Sequence, residues 1–238
     1  MTTTIQRASE RGGADHGWLK AKHYFSFANY HNPDKMHFGM LRVLNDDIVA
    51  GGGGFPTHPH DNMEIVTIPL TGALQHKDST GGAGVIKAGD VQIMSAGTGV
   101  RHSEFNDSKT DAVNLFQLWV FPKKRNITPR YDQKTYDIND RINKWQIVVS
   151  PKEEDKALWI NQDAVFSLTK LEAGKSLSYD NVFKGTGVYL VVINGSVKLD
   201  DTILNKRDAI GISGTDSFTI TANEDVELLA VEVPMNLS

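Results

Sequence analysis

Two segments, Gly54-Phe55-Pro56-Thr57-His58-Pro59-His60 and Val100-Arg101-His102-Ser103-Glu104, organise this chain. Each carries two coordinating side chains spaced two residues apart: His58 with His60, and His102 with Glu104. In an extended strand, residues i and i+2 point to the same face, so each pair can aim two ligands at one point. Two such strands facing each other inside a small barrel would present three imidazoles and a carboxylate to one ion. That donor set suits Fe(II), Mn, Co, Ni, Cu or Zn and suits Ca or Mg poorly. An isolated histidine is usually a surface or hydrogen-bonded residue; two short-spaced pairs in Gly-rich strand settings point instead to a metal site.

Outward from these segments, short apolar runs alternate with turn signals. Met63 to Leu70 is rich in β-branched residues, which fit a pleated, half-buried surface, and Thr71-Gly72 breaks it. Ala73 to Asp78, Val91 to Met94 and Ala112 to Phe121 read as strands, separated by Gly-containing turns. This rhythm predicts an all-β barrel or sandwich. Gly51 to Gly54 permit a tight backbone path into the first ligand strand, and they lack the Lys-Ser/Thr and helix of a phosphate loop. Upstream, His23 to Tyr30 reads as an irregular strand, and Leu41 to Asp47 as a strand ending in a turn. Helical periodicity is weak except for a short helix over Asp137–Ile142. Strands resume at Gln146–Ser150, Ala164–Leu171, Val188–Ile193, Ser196–Leu199, Ala209–Ile212, Ser217–Thr221 and Leu228–Val233.

Composition narrows the function classes. A net charge of -4 and short basic runs such as Lys123-Lys124-Arg125 give no nucleic-acid footprint. With no cysteine, disulfides, thiolate metal sites, cysteine nucleophiles and Fe–S clusters are excluded. No stretch of membrane-spanning length is apolar and the N-terminus is not a signal peptide, so the expectation is a cytoplasmic protein with no membrane partner.

The two halves overlay weakly but in order. Val66-Thr67-Ile68-Pro69-Leu70-Thr71-Gly72 matches Tyr189-Leu190-Val191-Val192-Ile193-Asn194-Gly195, and the segment from Gly89-Asp90-Val91 matches that from Arg207-Asp208-Ala209. We therefore expect one barrel over residues 1–130, a linker at Pro122–Arg130, and a second barrel over 131–238. All eight histidines lie between His16 and His102. The second barrel, with residues near Thr219 where the first has His102, cannot form the same imidazole site and is expected to be structural.

The stretch from Phe25-Ser26-Phe27 and Leu41-Arg42-Val43-Leu44-Asn45-Asp46-Asp47, through Gly54 to Thr67, His76-Lys77-Asp78-Ser79, Gly89 to Gly97 and His102-Ser103-Glu104, to Gln117-Leu118-Trp119 and Pro122, resembles the pirin family of bicupins. The likeness covers about residues 20–130, and the C-terminal half matches in pattern only. It implies a double-stranded β-helix (jelly-roll) barrel in each half, with at most short helices, and one divalent metal in the first, usually iron. The pirin ligand positions fall on His58, His60, His102 and Glu104. Bacterial members similar to quercetin 2,3-dioxygenases imply a small phenolic substrate and O2; mammalian relatives imply instead an iron-dependent, redox-sensitive regulator with a protein partner.

Four protein ligands leave two positions open on a six-coordinate ion, the mark of a catalytic site. Glu104 is the candidate catalytic base if it is bound weakly, since a base must lie within hydrogen-bond reach of the flavonol 3-hydroxyl proton; the alternative is a plain ligand with no base role. Glu64, four residues after His60, is expected to be structural or to orient a metal-bound imidazole. His76 is expected to be a hydrogen-bonded structural residue, and His16, His23, His31 and His37 to sit at the surface or in packing. Phe55, Met63 and Phe116 are candidates for an apolar pocket wall or for core.

Overall fold

The segment Glu64–Thr71 is buried along almost its whole length because it has a partner on each face. Val66 and Ile68 point one way, into a cluster that also contains Phe116 and Leu118 from the same sheet and Phe166, Val191 and Val231 from the other half of the chain. Ile65 points the other way, packing with Met94 and Val100 inside its own barrel. A strand buried on both faces reads as a continuous apolar run. This is how the two halves are joined: the broad sheet of each barrel shows its back to the other.

The computed structural model describes residues 1–236. The first barrel has a seven-stranded sheet ordered Arg130–Thr135, Asp90–Ser95, Glu64–Thr71, Val113–Val120, Leu41–Val49, Leu19–His23 and Gly12–Asp15. Facing it is a four-stranded sheet ordered Gly54–His60, Val100–Asn106, Ala73–Asp78 and Ala83–Lys87. The second barrel repeats the plan with Thr2–Gln6, Ala209–Ser213, Thr186–Asn194, Val226–Pro234, Val165–Leu171 and Gln146–Val149 over Ser176–Asp180, Ser217–Ala222, Ser196–Leu199 and Thr202–Asn205. These are tandem jelly-roll barrels, and the segments paired by the internal repeat occupy matching places in the two broad sheets. The described helices are short 3-10 turns, one of them Ile138–Arg141 inside the expected segment.

Strand pairing crosses the chain-order division at residue 130. Thr2–Gln6 runs antiparallel to Ala209–Ser213 of the second barrel, and Arg130–Thr135 antiparallel to Asp90–Ser95 of the first. Each barrel is thus completed by the strand that precedes the other. Polar bonds fasten the same seam: Asp46 accepts from Arg11 at 2.9 Å, from Arg207 at 3.0 Å and from Asn114 at 2.8 Å.

The interiors differ. The second barrel is filled with hydrocarbon from Leu190, Val192, Val197, Leu204, Ile220 and Leu228, among others. The facing pair Tyr179 and Phe218 stack at 5.5 Å. In that strand Thr219 points outward and Phe218 and Ile220 point in, so apolar side chains stand where an imidazole site would need ligands. The first barrel carries a polar row instead. His23, Asn45, Gln117, Thr67 and Gln92 lie opposite one another across five neighbouring strands.

Two sequence readings change here. The strand expected at His23–Tyr30 ends at His23, having begun at Leu19, and the following residues form a turn. The turn expected at the end of Leu41–Asp47 is not there, since the strand runs on through Asn45, Asp46 and Asp47 to Val49. Turn-forming residues are held there because Asn45 and Asp47 face the barrel interior while Asp46 takes three donors on the opposite face.

Candidate metal centre and adjoining pocket

The Gly54–His60 strand lies at the edge of the small sheet, where Pro56 and Pro59 cost no ladder hydrogen bonds. Its start is crowded: a side chain on Gly54 would collide with the backbone of Glu104 and Phe105, so only glycine fits this close approach. Opposite Val100–Asn106 the register runs His58 to His102 and Phe55 to Glu104, which puts one extra residue in the edge strand. Such a bulge re-aims side chains. Here it lets the Pro56 carbonyl accept from His58 Nδ1 at 2.8 Å, which leaves Nε2 of that ring as the bare nitrogen.

The three predicted imidazoles converge, in a compact group that does not include Glu104. Ring centroids of His58, His60 and His102 lie 4.4 to 4.9 Å apart, and one nitrogen from each falls within 4.8 Å of the others. His60 packs edge-on against Trp119 at 4.9 Å. Glu104 points inward from the same strand as His102, is 2% exposed, and accepts from Gln117 Nε2 at 2.8 Å through Oε2. A second grouping, His76 with His102 and Glu104, has the same compactness.

Burial sets the protonation of these groups. It pushes His60 down to about 4 and His102 down to about 3, with neighbouring imidazoles adding to the effect. Both rings are therefore neutral and able to donate a lone pair at neutral pH. Burial pushes Glu104 up to about 7. His102 Nε2 and Glu104 Oε1 are fully buried and have no protein hydrogen-bond partner. Native interiors rarely leave such atoms unsatisfied. A bare imidazole nitrogen and a bare carboxylate oxygen beside two further imidazoles fit a divalent transition metal.

Beside the cluster a cavity of about 430 Å³ opens between the sheets, and His58, His60, Glu104, Gln117 and Trp119 form its floor. That volume is in the range of small-molecule sites. Its walls are largely apolar, from Leu19, Ala21, Phe27 and Phe55. Asp47 faces the same cavity, buried and without a partner at Oδ1; burial and the nearby Asp46 and Glu104 push it up to about 8.

The remaining candidates sort by strand face. Glu64 alternates with Thr67 and so points out of the barrel, where it accepts from Ser95 Oγ at 2.8 Å and from the Asn161 backbone N–H at 3.1 Å. Phe55 lines the cavity, Met63 packs in the Ile65–Met94 cluster, and Phe116 is core between the barrels. His23 is buried, bonded to Asn45 at 2.8 Å, and lines the cavity with the exposed His16. His76 is bonded to Asp78 and to His102. The inward Asp47 and Gln117 carry no site role in the sequence reading, although a Gln inside the apolar run from Leu115 to Val120 was the available signal.

A hollow polar barrel with convergent imidazoles, backed on a filled apolar one, defines a bicupin with one candidate metal centre. A family model described as Pirin matches residues 4–120, and one described as the quercetinase C-terminal cupin domain matches 147–233. A protein of Escherichia coli named quercetin 2,3-dioxygenase is 40% identical over 97% of this chain and 98% of its own length. A pirin-like protein of Caulobacter vibrioides is 45% identical over 93% of this chain and 95% of its own. The structure of the bacterial pirin YhhW in complex with nickel(II), from Escherichia coli, superposes with a TM-score of 0.93 at 38% identity, covering 99% of this chain and 100% of that one. The chain belongs to the pirin family.

Proposed function

We propose that this protein is a metal-dependent dioxygenase that opens the ring of a flavonol such as quercetin with O2. The metal, iron(II) in our reading, would be held by His58, His60, His102 and Glu104. The observation that carries this reading is the pair of buried, unpartnered ligand atoms, His102 Nε2 and Glu104 Oε1, beside an apolar cavity that His58, His60 and Glu104 line. The named relative in Escherichia coli supports the substrate class and the nickel(II) complex supports the metal site.

When bound, the metal supplies Lewis acidity that acidifies a ligated hydroxyl, and a route for electrons to O2. The chain's own residues do the rest. Phe55, Phe27 and Trp119 hold an aromatic ring system and exclude water. Glu104 is the base: where it is held weakly, its carboxylate would take the phenolic proton within hydrogen-bond reach. Gln117 fixes the far oxygen of that carboxyl, which leaves Oε1 as the oxygen that would ligate the metal and, where it is held weakly, take the proton. The second barrel covers the back of the broad sheet and contributes no ligand.

The test is product analysis with isotopically labelled O2. Metal-loaded protein with quercetin should place both labelled oxygen atoms in the ring-opened product. Unchanged quercetin across the series from iron to zinc would reject the reading.

A further inference from the structure

We propose that Asp78 and His76 are positioning residues that fix the ring tautomer of His102, and that they do so through one directed chain of hydrogen bonds. The inference rests on the reading of His102 as a metal ligand. His76 and Asp78 face His102 and Glu104 from the neighbouring strand, where His102 pairs with Asp78 and Glu104 with His76. His76 Nε2 lies 3.0 Å from Asp78 Oδ2, and His76 Nδ1 lies 3.4 Å from His102 Nδ1.

The direction of the chain follows from its far end. Asp78 Oδ1 accepts from three donors: the Thr80 backbone N–H at 2.8 Å, the Thr80 hydroxyl at 2.6 Å and the Gly82 backbone N–H at 3.0 Å. Asp78 Oδ2 is left to accept, so His76 must carry its proton on Nε2. A neutral His76 then has a bare Nδ1, which can only accept from His102. His102 is thereby protonated at Nδ1, and its Nε2 is the bare nitrogen, the same buried atom that has no protein partner. The next nitrogen in hydrogen-bond reach thus dictates which nitrogen can ligate. Tyr131 stacks on His76 at 4.5 Å and 25° and holds the relay ring in plane; it lies on the strand that follows the inter-barrel linker.

The chain predicts an unusual response to a single-atom change. In Asp78→Asn the three donors at the Oδ1 position require the carbonyl oxygen, so the NH2 group must face His76 Nε2. His76 then carries its proton on Nδ1, against His102 Nδ1, and His102 must move its own proton to Nε2. An isosteric substitution two residues from the relay ring would therefore invert both tautomers and cap the ligand nitrogen.

The measurement is long-range proton–nitrogen NMR of histidine-labelled, metal-free full-length protein at neutral pH, followed by calorimetric titration with nickel(II). Wild type should show His102 with a protonated Nδ1 and a bare Nε2. Asp78→Asn should show the reverse and bind nickel(II) about 10- to 100-fold more weakly. His76→Leu, which leaves His102 free to adopt either tautomer, should be weakened less than Asp78→Asn. A wild-type His102 protonated at Nε2 overturns the proposal, and so do unchanged His102 signals in Asp78→Asn. Should Asp78→Asn fail to fold, the wild-type spectrum decides alone. If the expected tautomers are found but wild type binds no metal, the relay stands and the metal-site reading falls.

Discussion

Gln117 Nε2 donates to Glu104 Oε2 at 2.8 Å, a bond that spans the first barrel from its broad sheet to its small one. The contact ties the only carboxylate of the proposed ligand set to the centre of the polar row His23–Asn45–Gln117–Thr67–Gln92. A hydrogen bond to a charged group contributes about 1.5–3 kcal/mol. Gln117→Leu should therefore lower metal affinity or flavonol turnover by roughly tenfold to a hundredfold, by the conversion of about 1.4 kcal/mol per tenfold, while the fold is kept. Unaltered affinity and turnover would show that Glu104 is positioned by other contacts.

The two nearby carboxylates should separate cleanly. Glu104→Gln keeps the size of the side chain and loses charge and basicity; it should hold metal more weakly and lose turnover by about a hundredfold or more, the scale of general-base catalysis. Glu64 faces away from the site and bonds Ser95 and Asn161. Glu64→Gln should keep its metal and instead lower the stability of the barrel–barrel seam, by about 1–3 kcal/mol for a buried acceptor left mispaired. Metal content and chemical denaturation of both variants check this, and metal lost only from Glu64→Gln would reverse the assignment.

Protons should compete with metal chiefly at Glu104. Its folded pKa, about 7, lies above the reference 4.5. Its contribution to stability of the metal-free protein is thus fully present below pH 4.5 and is lost as pH rises through about 7. His60 and His102 are shifted the other way, to about 4 and about 3 from 6.5. Their contribution is present above pH 6.5 and is lost as pH falls through those values. Metal affinity should accordingly rise with pH toward about 7 in wild type, with a shallower rise in Glu104→Gln. Identical pH profiles for the two proteins would remove Glu104 from the ligand set.

One metal per chain is expected, in the first barrel. His58→Ala, His60→Ala and His102→Ala should each lose most of it and still fold, because the apolar cluster between the barrels and the filled second barrel do not depend on the ion. Metal analysis with circular dichroism reads both. Two equivalents in barrel sites, or unfolding of all three variants, would contradict the account.

Much of this was legible in the residues themselves. The i, i+2 pair His58–His60 and the facing His102 lead to the three-imidazole group because strand geometry leaves little freedom, and the ordered repeat leads to two barrels. Three features were not. The broad-sheet strands are buried on both faces, so Phe116, Leu118 and Val120, which meet the other barrel, are hard to tell by pattern from Leu115 and Trp119, which face inward. The run Asn45-Asp46-Asp47 carries turn chemistry that tertiary partners override. The exchanged edge strands Thr2–Gln6 and Arg130–Thr135 are largely exposed, and polar edge segments carry little hydrophobic pattern to announce where they pair.

The most direct test is oxygen consumption by the metal-loaded protein supplied with quercetin, with His102→Ala as the matched control. The account predicts O2 uptake in a one-to-one ratio with flavonol loss for wild type, and none above the uncatalysed rate for His102→Ala. Fully metal-loaded wild type that consumes no O2 with quercetin, or a His102→Ala protein that consumes it at the wild-type rate, would contradict it.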